Sequence, residues 1–179
     1  MADLAPKPAL ERAAATIGAL RIAPVTHGRI TAIAPYPGAD IDAGLAPLGV
    51  RFPAPGTVSA SGAARLVWTG RALAFLFGAA PPDGLAPLAA VSDQTDGWAW
   101  MHVSGPDAPA LLARLCPLDL RPESFPPGRV ARSLIGHMQA IILRDAPEAF
   151  EIGVFRSMAE TLHHDLTEAA RRLAARRAL

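Results

Sequence analysis

The sequence predicts an α+β domain in which two pseudo-repeated β-α-β-β units form antiparallel sheets with flanking helices. Short apolar runs bounded by Pro and Gly turns recur along the chain, which is typical of antiparallel strands. Two short helical segments end in the pattern P-L-x-x-R, at residues 47–51 and 117–121. From residue 158 onward, apolar residues follow helical spacing, which predicts a longer final helix.

Composition excludes several classes of protein. The 179 residues carry 17 Lys+Arg and 16 Asp+Glu, so charge gives no reason to expect a nucleic acid or an acidic membrane as partner. Cys116 is the only cysteine, which excludes an internal disulfide and a Cys-based zinc site. Hydrophobic residues make up 51%, yet no apolar run reaches the roughly 18–20 residues that span a bilayer. This apolar content indicates a protein partner.

The N-terminal region is predicted to be an arm over residues 1–28, followed by a single domain over residues 29–179. Leu10, Ala13, Ile17 and Leu20 fall near one helical face, which predicts a short helix over Pro8–Leu20. Asp3 and Glu11 interrupt any basic-then-apolar pattern, so we expect a cytoplasmic protein without a secretory signal.

The first half of the domain is predicted from its turns. Ile30–Ala34 alternates as a strand and ends at a Pro-Gly turn, and a short helix follows over Ala39–Leu48. Arg65–Trp68 and Leu73–Phe77 are predicted to form a hairpin around Gly70.

The second half has clearer signals. Trp98–Val103 is predicted as a strand, and Gly105-Pro106 turns it into a helix with Leu111, Leu112 and Leu115 on its apolar face. The later strands are predicted over Val130–Leu134, Met138–Leu143 and Phe150–Val154. Ser157 and Glu160 have the spacing of a capping box before the last helix. Its apolar face is predicted to contain Met158, Leu162, Leu166, Ala169 and Leu173.

An internal repeat is suggested by three matches in the same order. APLGVR at residues 46–51 matches CPLDLR at 116–121, and FPAPG at 52–56 matches FPPG at 125–128. TGRALAFLF at 69–77 matches IGHMQAIIL at 135–143 in pattern. Two such units would pack with helices on the outer faces of their sheets.

Motifs for bound nucleotides and metals are absent from the sequence. No G-x-G-x-x-G and no G-x-x-x-x-G-K-[ST] occurs. Adjacent His163 and His164 would diverge by ~100° on a helix, so they cannot share one ion. Cys116 at a helix end is expected to pack as a small apolar side chain. Trp98 and Trp100 share one strand face and are expected to pack in a core or an interface. We therefore assign no catalytic, cofactor-binding or metal-binding residue.

Several Pro, Gly and Asp positions fall in an order that resembles a known superfamily. They are Asp93, Gly105-Pro106-Asp107-Ala108, Leu112 with Leu115, Asp119, Gly128 with Val130, and Gly136. This pattern resembles the folate-binding domain of the aminomethyltransferase superfamily, which includes the glycine cleavage T-protein. Within that superfamily, residues 88–170 look most like the gamma subunits of heterotetrameric sarcosine oxidases.

The resemblance implies a non-catalytic structural subunit. Such complexes oxidatively demethylate sarcosine to glycine, with formation of hydrogen peroxide and methylenetetrahydrofolate. FAD, FMN, NAD and tetrahydrofolate are expected on the alpha and beta subunits, zinc on the delta subunit, and no cofactor on this chain. In folate-using members an acidic residue follows the Gly turn, but Gly136–Arg144 contains no carboxylate. The alternative is a free-standing tetrahydrofolate-binding or aminomethyltransferase-like protein.

Overall fold

The computed structural model describes residues 7–177, which form two antiparallel sheets and three α-helices. The strands are β1 Ala15–Ile17, β2 Leu20–Val25, β3 Ile30–Pro35, β4 Val58–Ser61, β5 Ala64–Gly70, β6 Leu73–Phe77, β7 Ala89–Asp93, β8 Trp98–Ser104, β9 Val130–Ile135, β10 Met138–Ala146 and β11 Ala149–Phe155. The α-helices are α1 Ile41–Leu45, α2 Ala108–Leu112 and α3 Ala159–Arg177. Among these residues no helix has the length and apolar character needed to cross a membrane.

The α+β class with antiparallel sheets is confirmed, and so are most of the predicted elements. The seven strands predicted in residues 30–77 and 98–154 are present as β3, β5, β6, β8, β9, β10 and β11. The three helices predicted after residue 28 are present as α1, α2 and α3, although α1 and α2 have only 5 residues each. Strands β4 and β7 were not predicted, because small and polar residues dominate both.

The helix predicted over Pro8–Leu20 is wrong, because β1 and β2 form a hairpin there. Gly18 provides the positive φ of +57° that the tight turn needs. In β2, Leu20 and Ile22 are buried while Arg21 is exposed, which is the period of a strand. β2 pairs with β8, so residues 15–25 of the predicted arm belong to a sheet. Residues 1–6 of that arm lie outside the described residues.

The two sheets share one strand order. The six-stranded sheet runs β1-β2-β8-β11-β10-β9, and the five-stranded sheet, taken from its other end, runs β7-β3-β6-β5-β4. In the five-stranded sheet, β3 precedes the short helix α1 and lies beside the meander β4-β5-β6. In the six-stranded sheet, β8 precedes the short helix α2 and lies beside the meander β9-β10-β11. The outer strands are exchanged: β2 leads into β3 but pairs with β8, and β7 leads into β8 but pairs with β3.

This order corrects one of the three sequence matches. The match of the Gly70 turn with the Gly136 turn is wrong, because the two turns lie at different places in the strand order. Gly70 lies at the turn between β5 and β6, whereas Gly136 joins β9 to β10. The corresponding turn between β4 and β5 contains Gly62. Gly62 and Gly136 have φ values of +55° and +54°, so both turns need the same left-handed residue. The internal repeat itself stays a prediction.

Three apolar clusters pack the layers of the fold against one another. The cluster between the sheets contains Phe75 and Phe77 from one sheet and Trp98 and Trp100 from the other. A second cluster joins the six-stranded sheet to α2 and α3, and a third covers the outer face of the five-stranded sheet beneath α1. The architecture is therefore helix, sheet, sheet, helix.

Helix α3 buries most of the face predicted for it. Leu162 and Leu166 are fully buried, whereas Met158 precedes the helix and is 40% exposed. Ser157 lies in a short 3-10 turn over Arg156–Met158, and Glu160 Oε2 accepts a hydrogen bond from Arg12 Nε at 2.9 Å. The capping box is therefore not formed as predicted.

Candidate functional site between the two sheets

The Gly105–Ala108 motif holds the fold together. Gly105 has φ +122°, and a Cβ there would lie 2.0 Å from Ala19 O, so only glycine fits against the β1–β2 hairpin. Asp107 is buried and forms an ion pair with Arg177 of α3. This motif therefore docks α2 and α3 on the sheet.

The Asp119 side chain makes hydrogen bonds with residues of its own turn. Its carboxylate accepts from Arg121 Nη2 at 2.6 Å and from Ser124 Oγ at 2.8 Å. The hydrogen bond from the Arg121 side chain, followed by that from Ser124, lowers the pKa of Asp119 well below its usual range. Asp119 therefore stays ionised as part of a turn.

Arg144 fixes the loop that carries the second FP-G motif. Arg144 is 2% exposed, and its guanidinium donates to Leu120 O at 3.1 Å and to Phe125 O at 2.7 Å. Gly128 N donates to Arg144 O at 2.7 Å. These carbonyls compensate the cost of burying the guanidinium group.

The other candidate side chains of the sequence are packed in the interior or at its border. Cys116 is buried, and burial raises the pKa of its thiol, which disfavours the reactive thiolate. Trp98 and Trp100 belong to the cluster between the sheets, as expected for core residues. Burial, followed by the charge of Arg12, lowers the pKa of His163. No cluster of residues suited to hold a metal ion occurs within residues 7–177.

A polar cluster lies at one end of the inter-sheet core, and sequence reasoning missed it. Arg65 Nη2 donates to Glu151 Oε2 at 2.6 Å, and Arg65 Nη1 donates to Asp145 Oδ1 at 3.4 Å. His27 Nε2 lies 3.4 Å from the same Glu151 oxygen. Arg65 and His27 thus lie against one buried carboxylate, and Asp145 joins the cluster through Arg65.

The strands explain how these residues meet. Arg65 lies in β5 opposite Phe77, and its guanidinium is 5.2 Å from the centre of the Phe77 ring. Glu151 lies in β11 opposite Leu143. A register shift between Arg144 and Ala146 places Asp145 at the end of β10. The cluster therefore connects the two sheets by charge.

Two members of the cluster have shifted pKa values. Burial, reinforced by the charge of Glu151 and opposed by Arg65, raises the pKa of Asp145 to about 6. Burial lowers the pKa of His27, against the opposing effect of Glu151, so the imidazole is neutral near pH 7. The cluster can therefore take up or release a proton at Asp145 near pH 6.

An aromatic wall adjoins the cluster. The His27 ring packs edge-on against Phe77 at 4.8 Å and Trp100 at 5.3 Å between ring centres. The Trp100 ring lies over Gly153, where a Cβ would be 2.7 Å from ring carbons. Glycine is required there because the indole lies directly over the backbone.

Two buried polar atoms beside this wall have no hydrogen-bond partner among the described residues. They are His27 Nε2 and Trp100 Nε1. Both residues line a cavity of about 160 Å³, together with Thr95, Asp96 and Arg156. A cavity of this size has room for ordered water.

Comparisons with known proteins identify the fold. No model of a known protein family matches the chain, and no curated protein matches it. A solved structure does: a chain of heterotetrameric sarcosine oxidase from Corynebacterium sp. U-96, in complex with pyrrole 2-carboxylate. The TM-score is 0.78 at 23% sequence identity, over 89% of this chain and 88% of that chain. The chain therefore has a fold found in heterotetrameric sarcosine oxidase.

Proposed function

We propose that this chain is a non-catalytic structural subunit, of the gamma type, in a heterotetrameric sarcosine oxidase complex. The observation that carries the proposal is the fold shared over nearly the whole length of both chains. Since a shared fold alone does not transfer activity, the role of the individual residues matters as well.

The contacts of the motif residues support a structural role. Gly105 and Asp107 dock helices and a hairpin, and Asp119 is held by its own turn. None of these residues offers a free reactive group. The segment Gly136–Arg144, where folate-using members carry an acidic residue, contains no carboxylate.

The proposal also assigns the cofactors to other chains. FAD, FMN, NAD and tetrahydrofolate would lie on the alpha and beta subunits and zinc on the delta subunit, in a cytoplasmic complex. The two halves of this chain would be a duplicated unit of the T-protein type. Their common strand order supports this part of the proposal.

Co-expression with the large oxidase subunits tests the proposal. Affinity capture of this chain should yield a yellow complex that consumes oxygen with sarcosine. Omitting this chain should then reduce assembly of the complex, while any assembled remainder keeps its turnover per flavin. A colourless captured protein would refute the subunit role.

The alternative, a tetrahydrofolate-binding or aminomethyltransferase-like protein, is favoured by one observation. Asp145 lies just after the segment without acids, and its pKa of about 6 suits proton transfer near neutral pH. Calorimetric titration of the isolated chain with tetrahydrofolate tests this role, with Asp145→Asn as the matched variant. Heat of binding that the variant loses would support it, and no heat from the wild-type chain would exclude it.

A further inference from the structure

Strand β7 lies at the edge of the five-stranded sheet, and its hydrogen-bonding groups alternate between two sides. Tyr36 N donates to Leu88 O at 2.9 Å, and Gln94 N donates to Ile30 O at 2.8 Å. In an antiparallel pair every second residue faces the partner strand. Ala90 and Ser92 therefore bond to β3.

The intervening residues of β7 direct their backbone groups outward. Ala89, Val91 and Asp93 pair in register with residues of β3, but their N–H and C=O groups lie on the other side of the strand. No strand within residues 7–177 pairs with that side. Ala89 is buried, so an added antiparallel strand could form up to four hydrogen bonds, with Val91 and Asp93.

The other sheet shows what occupies the equivalent edge. β2 holds the position in its sheet that β7 holds in the five-stranded sheet, and β1 pairs antiparallel with the outer side of β2. The five-stranded sheet lacks a counterpart of β1 among the described residues. The open edge of β7 therefore corresponds to the edge of β2 in the six-stranded sheet, which the short antiparallel strand β1 covers.

The side chains of β7 do not protect this edge. Natural edge strands commonly carry Lys, Pro or an inward charge that prevents pairing. β7 has the sequence AAVSD, whose only charged residue is the last one. Val91 is 39% exposed, and nearby Tyr36 is 47% exposed. Both are among the few large apolar side chains exposed in the described chain.

We propose that β7 is a docking edge for an extended segment of a partner subunit, which adds an antiparallel strand and places an apolar side chain beside Val91. This proposal rests on the proposed function, because the partner is a large subunit of that complex. Backbone pairing supplies the affinity and Val91 supplies the apolar contact.

Hydrogen exchange at single-residue resolution tests the edge without any substitution. In the isolated chain, the amides of Val91 and Asp93 should exchange freely, while those of Ala90 and Ser92 are protected. In the captured complex, the amides of Val91 and Asp93 should gain at least about tenfold protection. Unchanged exchange at Val91 in the complex would overturn the proposal. Protection that appears on concentrating the isolated chain alone would indicate pairing of two copies and also overturn it.

Val91→Pro removes a donor that faces the open side and blocks an incoming strand. Val91→Thr is the matched control, because it keeps the N–H group and the β-branched shape. We expect Val91→Pro to lower capture of the flavin subunits at least about tenfold, while the melting temperature of the isolated chain stays within about 2 °C. Equal capture by Val91→Pro and Val91→Thr would refute the docking edge alone. Failure of the wild-type chain to capture flavin subunits would refute the proposed function, and the docking edge with it.

Discussion

Gly153→Ala tests the packing of Trp100 over the sheet. The added Cβ would lie 2.7 Å from Trp100 Cη2 and Cζ2 and 2.8 Å from Cζ3. Ordinary carbon contacts are about 3.5–4.0 Å, so the indole must move by roughly 1 Å. His27 and Phe77 pack against the same indole, at 5.3 and 5.2 Å between ring centres, and restrict that movement.

The magnitude follows from two opposing effects. Overpacking of a core costs ~1–3 kcal/mol. Replacing glycine by alanine restricts the unfolded chain and offsets ~0.4–1 kcal/mol of that cost. The midpoints of these ranges, ~2 and ~0.7 kcal/mol, lead us to expect that Gly153→Ala lowers the free energy of unfolding by ~1.3 kcal/mol.

Urea unfolding monitored by tryptophan fluorescence measures this difference. Gly84→Ala is the matched control, because a Cβ at Gly84 meets no atom within 4 Å and the residue has no positive φ. The control should change the free energy of unfolding by less than ~0.5 kcal/mol. If Gly153→Ala were as stable as the wild-type protein, the indole would not lie over residue 153 and this account of the core would be wrong.

Three further predictions concern stability. Leu166→Ala should cost ~2–5 kcal/mol because the side chain is fully buried against the sheet, and a loss below ~0.5 kcal/mol in thermal or chemical unfolding would contradict that packing. The pKa of Asp145 is higher in the folded state, about 6 against 3.8, so the folded protein binds more protons and this group lowers stability as the pH rises from about 4 to 6. Asp145→Asn should remove that fall in stability. The lowered pKa of His27 has the opposite effect, a rise in stability with pH below pH 6.5, and this effect remains in the variant. Parallel curves of stability against pH for the variant and the wild type would contradict the shift of the Asp145 pKa. Arg144→Met should lower the free energy of unfolding in urea by at least ~2 kcal/mol, because buried carbonyls lose their donor. The control Arg132→Met removes one 3.3 Å hydrogen bond and should cost less than half of that. Equal losses would contradict the role of Arg144.

The sequence predicted elements whose apolar pattern is strong and local. The apolar runs of β8 and β11 and the helical spacing of Leu162 and Leu166 each depend on a few neighbouring residues, and the elements that they predict were confirmed. β1 and β2 were missed because the spacing of Leu10, Ala13 and Ile17 also suits a helix. β7 was missed because an exposed edge of small residues has no apolar period.

The polar cluster could not be predicted because it depends on tertiary structure. Arg65 and Glu151 are 86 residues apart and belong to different sheets. Only the face-to-face packing of the sheets brings them together. One local signal existed: Glu151 is a charged residue within the otherwise apolar strand AFEIGVF, where alternation turns it inward. A buried charge in such a strand predicts a partner but cannot identify it.

The exchange of β2 and β7 between the sheets has a consequence for synthesis of the chain. Arg21 pairs with Ser104, so the first apolar strand must wait for a partner that is 83 residues further along (104 − 21). At ~5–20 residues per second, translation leaves β2 without that partner for about 4–17 s. During this interval Leu20 and Ile22, buried in the finished fold, are accessible to chaperones or to other nascent chains. The five-stranded sheet contains only β3 to β7 and can form before β8 is made, whereas the six-stranded sheet needs strands from both ends of the chain and is completed last.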